Sequence, residues 1–600
     1  MRKRRSGKPW FPPEETVMDR FLFERNLLAL SLRDPVLCSR LSTAETTLGR
    51  YKFIESRSGE PVPAWVDHSG AAHPLHSLVD PRREGGRLIS TLGDEGFLVF
   101  LGLGGGFAVQ AALERDGTHQ ALVIDYDING VAELLSSRDY IALFKDPRFS
   151  LLVDPPKEAV EACILELYKP VFHGGIRSIP LRARTGFDQA PFLAAGEAVK
   201  SAIDRVSGDY SVQACFGKRW FSNILRNLSA AEGFREPFPR TRHAAVIAAG
   251  PSLEQQLPAL AERRGELFLI AADTSLPSLL GAGLEPDAVV SIDCQHISYY
   301  HFLGGMPRRI PLYLDLASPP LLASLSDHVR FFIGGHPLEL YISRYWRSIP
   351  ALDTSGANVT YAALSLAENL GAARIELYGA DFAYPRGRSY ARGTYIYPYF
   401  ATRQNRLNPL EALFSAFLYR NPSLTRCSCA VPGGVLHDGV LHDGAENWYY
   451  ETRALRMYRE RLEAKIPAVG AEVIPIPGGG APIGAAGGNA GQRPLKLVSP
   501  GKAFMEAAEF LDRYRKGIAA LPPMRRKPSA YPGGLKTGER LIFTTLLPTA
   551  AAIRSRRPEL KDGELLEELR RCCLQELDAV LRADPSAPMP PARMPTSFPV

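Results

Sequence analysis

No stretch of these 600 residues is both long and apolar enough to read as a membrane span. The most apolar window, Phe97 to Leu113, is broken by Gly102, Gly104, Gly105 and Gly106. Cysteine is scarce: eight residues, at 38, 163, 215, 294, 427, 429, 572 and 573, with neither metal-ligand spacing nor disulfide density. Arg2-Lys3-Arg4-Arg5 is followed by Trp10-Phe11-Pro12-Pro13 instead of an apolar run, so it does not read as a signal peptide. Nor is one charge in strong excess. The 71 basic and 64 acidic residues leave +7, weak ground for a nucleic-acid partner. These absences predict a cytosolic globular chain, and 45% hydrophobic with 22% charged residues is ordinary for one. The length predicts three or four domains.

Residues 1–85 read as a mixed α/β segment, with a helix from Phe21 to Leu32 and a strand pair at 50–54 and 63–66. Residues 86–210 outline a methyltransferase-like Rossmann domain. A strand at 97–101 runs into Gly102-Leu103-Gly104-Gly105-Gly106, then a helix from Phe107 and a strand ending at Asp125. The glycines are not spaced as G-x-G-x-x-G, and no later segment carries a methyl-transfer motif. This domain is therefore expected to be a non-catalytic scaffold. Asp204 to Phe234 reads as a helical bridge, with Trp220, Asn223 and Asn227 on one face packing or crossing between elements.

From 211 to 475 strands and helices alternate, with strands expected at 244–249, 267–272, 288–292, 310–315, 329–333 and 374–379. Short apolar strands separated by helices predict a parallel sheet covered on both faces. The glycine-rich residues 476–496 read as a linker, 497–583 as a helical domain, and the proline-rich 584–600 as a disordered tail.

Ligands of open parallel sheets bind at the carboxyl ends of the strands. Gly250-Pro251-Ser252-Leu253 forms a tight strand-to-helix turn whose amides suit a phosphate. Asp273, Asp293, Asp315 and Gly379-Ala380-Asp381 follow other strands. Asp273 also suits a helix N-cap, whereas several acids at one sheet edge suggest a crevice. Thr354-Ser355-Gly356-Ala357-Asn358 makes a second small turn before a helix, where Ser355 and Asn358 would cap it or present a nest to an anion. His437-Asp438-Gly439 and His442-Asp443-Gly444 repeat at a five-residue spacing that reads as a loop duplication rather than a metal site.

In order and spacing, Ala249–Leu253, Ile270–Thr274, Gly283–Asp293, Thr354–Asn358 and Ile375–Phe382 resemble the bacterial motility accessory factors. Their central domain is shared with an archaeal hydroxymethylpterin pyrophosphokinase. The resemblance implies a central Rossmann-like, sialyltransferase-like domain and a flagellin glycosyltransferase. In that chemistry a nonulosonic acid passes from a CMP-linked donor to Ser or Thr of flagellin. By the same resemblance Gly250, Pro251, Ser252 and Leu253 hold the donor's nucleotide–phosphate portion. Asp273 and Asp293 face its ribose, base or sugar, and Asp381 is the general base, or else a metal or sugar contact. Ser355, Gly356, Asn358 and Gly379 belong to the binding walls. Arg392, with Arg386 and Arg388, would clamp an anionic group or be an exposed basic loop. No metal ligand set is expected, and Mg2+ is the ion to consider. Ser355-Gly356-Ala357 stands where the family has Gly-Gly-Ser, and Ala380 stands where it has Gln. The other readings are a pterin pyrophosphokinase and a non-catalytic flagellin-binding assembly factor.

Overall fold

The structure, a computed structural model, describes residues 19–45, 49–234, 237–430, 435–437, 440–442, 446–484, 501–523 and 530–583. It is mixed α/β and divides into two compact units. The first comprises Met1–Cys215, Pro522–Arg540 and Ala550–Glu568, and the second Phe216–Leu521, Leu541–Thr549 and Leu569–Val600.

In the first unit, β1 (Tyr51–Glu55), β2 (Pro61–Val66) and β3 (Ala72–Pro74) form an antiparallel sheet. The Rossmann outline follows as β4 (Glu95–Leu101), β5 (Gln120–Asp125), β6 (Phe149–Val153) and β7 (Gly175–Pro180), all parallel in the order β6-β5-β4-β7. Phe97, Leu98, Val99 and Phe100 are all buried, because a strand with helices on both faces has no solvent side. Each such side chain contributes roughly 1.5–3 kcal/mol on leaving water. The helix Arg20–Ser31 packs into the same core through Ala29 and Leu30, so residues 19–85 join the Rossmann domain instead of standing apart.

The second unit is built on β8 (His243–Ile247), β9 (Phe268–Ala272), β10 (Ala288–Ser291), β11 (Leu312–Asp315), β12 (Val329–Phe332) and β13 (Arg374–Tyr378). Short strands follow: β14 (Tyr384–Pro385), β15 (Thr425–Ala430), β16 (Val435–His437), β17 (Val440–His442), β18 (Glu446–Glu451) and β19 (Glu472–Pro475). Seven of them make one parallel sheet in the order β12-β11-β10-β9-β8-β13-β19. All six strands expected between 244 and 379 are present. The chain winds outward from β8 to β12, then returns to lay β13 on the other side of β8. The switch point, where an open sheet parts its loops, therefore lies between β8 and β13.

The helix Val359–Asn369 starts where Asn358 accepts a hydrogen bond from Tyr361 N at 3.0 Å, an N-cap worth about 1 kcal/mol. It leads directly into β13, so the Asn358 end lies toward the carboxyl edge of the sheet. The C-terminal helices are present at Ala507–Ala519, Thr537–Arg556 and Asp562–Arg582, but they do not form a domain of their own. The cause is aromatic: Phe510 and Tyr514 pack on Tyr341, and Trp346 donates to the Met505 carbonyl at 3.0 Å. Residues 478–484, read as linker, pack against the second unit's core, whereas 485–500 and 584–600 lie outside the described residues. Val435–His437 pairs with Val440–His442 as a hairpin, and the Asp-Gly pairs of the repeat likewise lie outside the described residues. Among the described residues no helix is long and apolar enough to cross a membrane.

Candidate functional site

The Gly250–Leu253 turn sits at the switch point, and its amides are spoken for. Gly250 N donates to Gly379 O at 2.9 Å, Ser252 N to Asp381 Oδ2 at 2.8 Å, and Leu253 N to Gly250 O at 3.0 Å. A Cβ on Gly250 would lie 2.4 Å from both Asp381 Oδ2 and Gly379 O, so the close approach of the two strand ends requires glycine here. Gly379, at φ +62, donates to Gln256 Oε1 at 2.8 Å. Gln256 in turn donates to the Pro477 carbonyl at 3.0 Å.

Asp381 is buried beneath this turn. Gly479 N donates to Ser252 Oγ at 2.7 Å, and a Cβ on Gly480 would lie 2.4 Å from Asp381 O. Burial raises the Asp381 pKa, against hydrogen bonds from Ser252 and Gly480 and the charge of Arg388. The carboxylate expected to act as general base thus braces the turn, because Gly478–Gly480 covers it. Sequence reasoning missed this, having assigned those glycines to a linker.

Asp273 is also buried and engaged on both oxygens. Oδ1 accepts from Thr274 N at 2.7 Å and Thr274 Oγ1 at 3.0 Å, and Oδ2 from Ser291 Oγ at 2.6 Å. It ties the end of β9 to the end of β10 and caps no helix.

Asp315 meets a second buried acid, Glu339. Glu339 Oε2 accepts from Gly334 N at 2.9 Å and from His336 N at 3.2 Å. Its Oε1 is buried and has no hydrogen-bond partner among the described residues. Burial, then the facing Asp315, raises Glu339 well above the carboxylate range. His336 beside it is held neutral by burial, its pKa lowered to about 3, and its ring meets Trp220 edge-on at 5.4 Å.

Asp293 differs. Oδ1 accepts from Gln295 N at 2.9 Å, while Oδ2 carries no hydrogen bond among the described residues, and the side chain is only partly buried. Burial raises its pKa. The Gln295 amide opposes this, the Asp273 carboxylate adds to it, and His301 and Arg219 oppose it. His301 lies on the 3-10 segment His296–Phe302, its ring 4.7 Å from that of Tyr395. Its Nδ1 is buried without a partner. Tyr390 and Tyr395 are both raised by burial and sense Asp273 and the Arg420 guanidinium, which places the 384–397 loop over this edge. Arg219, Arg420 and His301 are the groups that the sequence reading did not single out. The run His296-Ile297-Ser298-Tyr299-Tyr300-His301, beginning three residues after Asp293, is the signal that was there to find.

Asn223 and Asn227 fix the helix segment carrying Arg219 to this edge. Asn223 Nδ2 donates to the Cys294 and Ala317 carbonyls at 3.1 and 2.8 Å, and Asn227 Nδ2 to Leu316 and Ser318 at 2.8 Å each.

The remaining expected residues lie apart from Asp293. Ser355 Oγ donates to Asp353 Oδ1 at 2.7 Å, and Asp353 also holds Lys465 at 2.8 Å. Gly356 is buried against the Tyr361 ring. In the 384–397 loop, Arg388 and the Arg392 backbone are both taken by Glu254, and the Arg392 side chain is exposed. Among the described residues no group of three or more His, Cys, Asp or Glu side chains is placed to hold a metal ion.

The glycine turn of the first unit is closed from within. Asp125, at the ribose-acid position, accepts from Leu103 N at 2.6 Å and pairs with the fully buried Arg184 at 3.3 Å. A Cβ on Gly104 would lie 2.5 Å from Leu181 and 2.7 Å from His76.

Residues 218–387 match the family described as 6-hydroxymethylpterin diphosphokinase MptE-like. Two curated relatives from Treponema pallidum (strain Nichols), each described only as an uncharacterized protein, are 35% identical over 127 residues and 34% over 139. These matches take in 20% and 23% of this chain and 45% and 66% of the relatives, so the chain spans about half the length of the curated relatives it matches. The MAf glycosyltransferase from Magnetospirillum magneticum AMB-1 superposes with a TM-score of 0.55 at 13% identity, over 94% of this chain and 95% of that one. Residues 218–387 are thus similar to the MptE-like family, and the fold of the chain as a whole resembles that of the MAf glycosyltransferase.

Proposed function

We propose that this protein is a protein O-glycosyltransferase that moves a nonulosonic acid from a CMP-linked donor to Ser or Thr of flagellin. The likeness of the whole fold to a MAf glycosyltransferase supports the reaction class. The observation that carries it is Asp293, whose Oδ2 carries no hydrogen bond among the described residues and whose side chain is only partly buried, whereas Asp273, Asp315 and Asp381 are buried. It lies within electrostatic reach of His301 and the Arg219 guanidinium.

In this reading the acceptor hydroxyl oxygen attacks the anomeric carbon of the donor sugar. The bond from that carbon to the phosphate oxygen breaks, and CMP leaves with the electron pair. The hydroxyl proton passes to Asp293 Oδ2. A carboxylate raised by burial is a stronger base than a free one. Arg219 and Arg420 face the anionic phosphate and sugar carboxylate, a use to which planar guanidinium groups are suited. Asp381 is a positioning residue that holds the Gly250–Leu253 turn in shape. The acceptor and the sugar are those that the family resemblance implies.

The MptE-like match favours a second reading, diphosphate transfer to a pterin. One experiment separates the two. The protein is incubated with flagellin and CMP-nonulosonic acid, and in parallel with ATP and hydroxymethylpterin, and both products are weighed by mass spectrometry. A mass gain on flagellin that Asp293→Asn abolishes supports glycosyl transfer. ATP-dependent pterin turnover without flagellin modification overturns it, and flagellin binding with neither activity leaves an assembly factor.

A further inference from the structure

The first unit contains a cavity of about 430 Å³ beside its glycine turn, lined by Gly105, Gly106 and four cationic side chains: Arg25, Arg82, Arg138 and Lys145. Asp139 is the acid in its wall. The cations are built in to different degrees. Arg138 is nine-tenths buried, with its guanidinium 4.0 Å from the centre of the Phe107 ring. It shares the carboxylate of Glu60 with Arg82, at 3.2 and 2.5 Å. Arg25 and Lys145 form no ion pair among the described residues. Counting Glu60 and Asp139 against the four cations, the cavity is left two positive charges in excess.

The helix Phe107–Glu114 starts at this wall. Gly106, at φ +70, gives it no side-chain cap, and its first turn holds no acid. The positive end of the helix therefore adds to the cationic field instead of being answered within the chain.

Two further observations decide the ligand's chemistry. Asp125, which would hold a ribose, is closed by Leu103 N and Arg184, and Leu181 and His76 fill the space over Gly104. The nucleoside side of the turn is shut while the cationic side is open. The one ring in the lining, Tyr140, is buried and gives its hydroxyl to the Gly104 carbonyl at 2.6 Å, leaving no exposed face on which a base would stack. A volume in the range of small-ligand pockets, with cations on several sides, fits a compact polyanion.

We propose that this cavity is a binding site for a phosphate-bearing small molecule, read through its phosphate groups by Arg25, Arg82, Arg138 and Lys145. The site stands whether or not the reading of the second unit holds.

The test is isothermal titration of the full chain with inorganic phosphate, pyrophosphate and CMP. The expected result is pyrophosphate binding that weakens as salt rises, since exposed cations contribute. Arg25→Glu with Lys145→Glu, both at exposed positions, should weaken it at least tenfold. Arg138→Gln should weaken it further, with circular dichroism reporting its folding. Arg219→Ala, in the second unit, should leave it unchanged. Three results would each overturn the proposal: no binding at millimolar pyrophosphate, affinity indifferent to the double charge reversal, or loss that follows Arg219→Ala instead. Tighter binding of CMP than of pyrophosphate that survives the double reversal would also place the ligand elsewhere.

Discussion

The chain carries two parallel sheets, each with a small-residue turn at its centre, and the two units dispose of their strand-end acids differently. In the first unit Asp125 is locked to Leu103 N and Arg184, and Asp154 accepts from Asp127 N at 2.7 Å and Ile128 N at 3.1 Å. In the second unit Asp273 and Asp381 are locked in the same manner, yet Asp293 keeps Oδ2 free beside His301. Over Gly104 in one turn and Gly250 in the other there is no open space. Both accept close neighbours, Leu181 and His76 in one case and Asp381 with Gly478–Gly480 in the other. A glycine turn thus marks where two pieces of chain come close, and the chemistry is found by asking which polar atoms the fold leaves unused.

The largest effect that sharpens this contrast is on catalysis. Asp293→Asn should lower flagellin modification by about 10²- to 10⁴-fold with the melting temperature unchanged. Wild-type rate should fall as pH drops through the raised Asp293 range, because the protonated acid cannot accept the hydroxyl proton. More than a tenth of the activity surviving in the variant would return the base to another residue.

Next comes stability in the first unit. Asp125→Ala leaves the buried Arg184 with Asp188 as its remaining ion-pair partner and the Leu103 amide without its acceptor, and should cost about 2–4 kcal/mol in denaturant unfolding, while the folded fraction keeps its transfer activity. A cost below about 1 kcal/mol would mean that the pair does not hold the turn shut.

Gly250→Ala should cost about 1–3 kcal/mol, since its methyl group meets the Gly379 backbone carbonyl, which has no rotamer with which to retreat. Adding Asp381→Ala relieves one of the two clashes. The double mutant should therefore be less destabilised than the sum of the singles, and strict additivity would deny the contact.

The smallest effect is the pH slope from Glu339. Its folded pKa is raised, so its contribution to stability is intact below the unfolded carboxylate range near 4 and is lost as pH climbs above it. Glu339→Gln should flatten that decline and leave the protein relatively more stable than wild type at pH 8. Parallel stability curves between pH 4 and 8 would show that the pair holds no proton.

The strands were legible because a parallel sheet covered on both faces writes itself as short apolar runs, and Phe97–Leu101 and Val289–Val290 are such runs. The turn at Gly250 was legible as a turn. What it faces was not, because Gly479 lies more than 220 residues further on and nothing local links it to Ser252. Likewise, composition made 476–496 a linker, when small residues are also what lets a backbone lie flat on a buried carboxylate. Asp293 was singled out with Asp273, but their difference rests on Ser291, whose hydroxyl turns toward one acid and not the other. The Asp315–Glu339 pair was invisible for the same reason: Asp315 ends β11 and Glu339 lies in the first turn of the helix Pro337–Tyr345, and the two meet only once the sheet has formed.

The two asparagines on the helix beside the site have a mechanical consequence. Four amide-to-carbonyl bonds, each net about 0.5–1.5 kcal/mol, pin that segment to the chain leaving β10 and β11. The backbone of Cys294, next to Asp293, is one of the anchored points. A ligand that widened this rim would have to unfasten the helix first, so the wall behind Asp293 behaves as a fixed jaw.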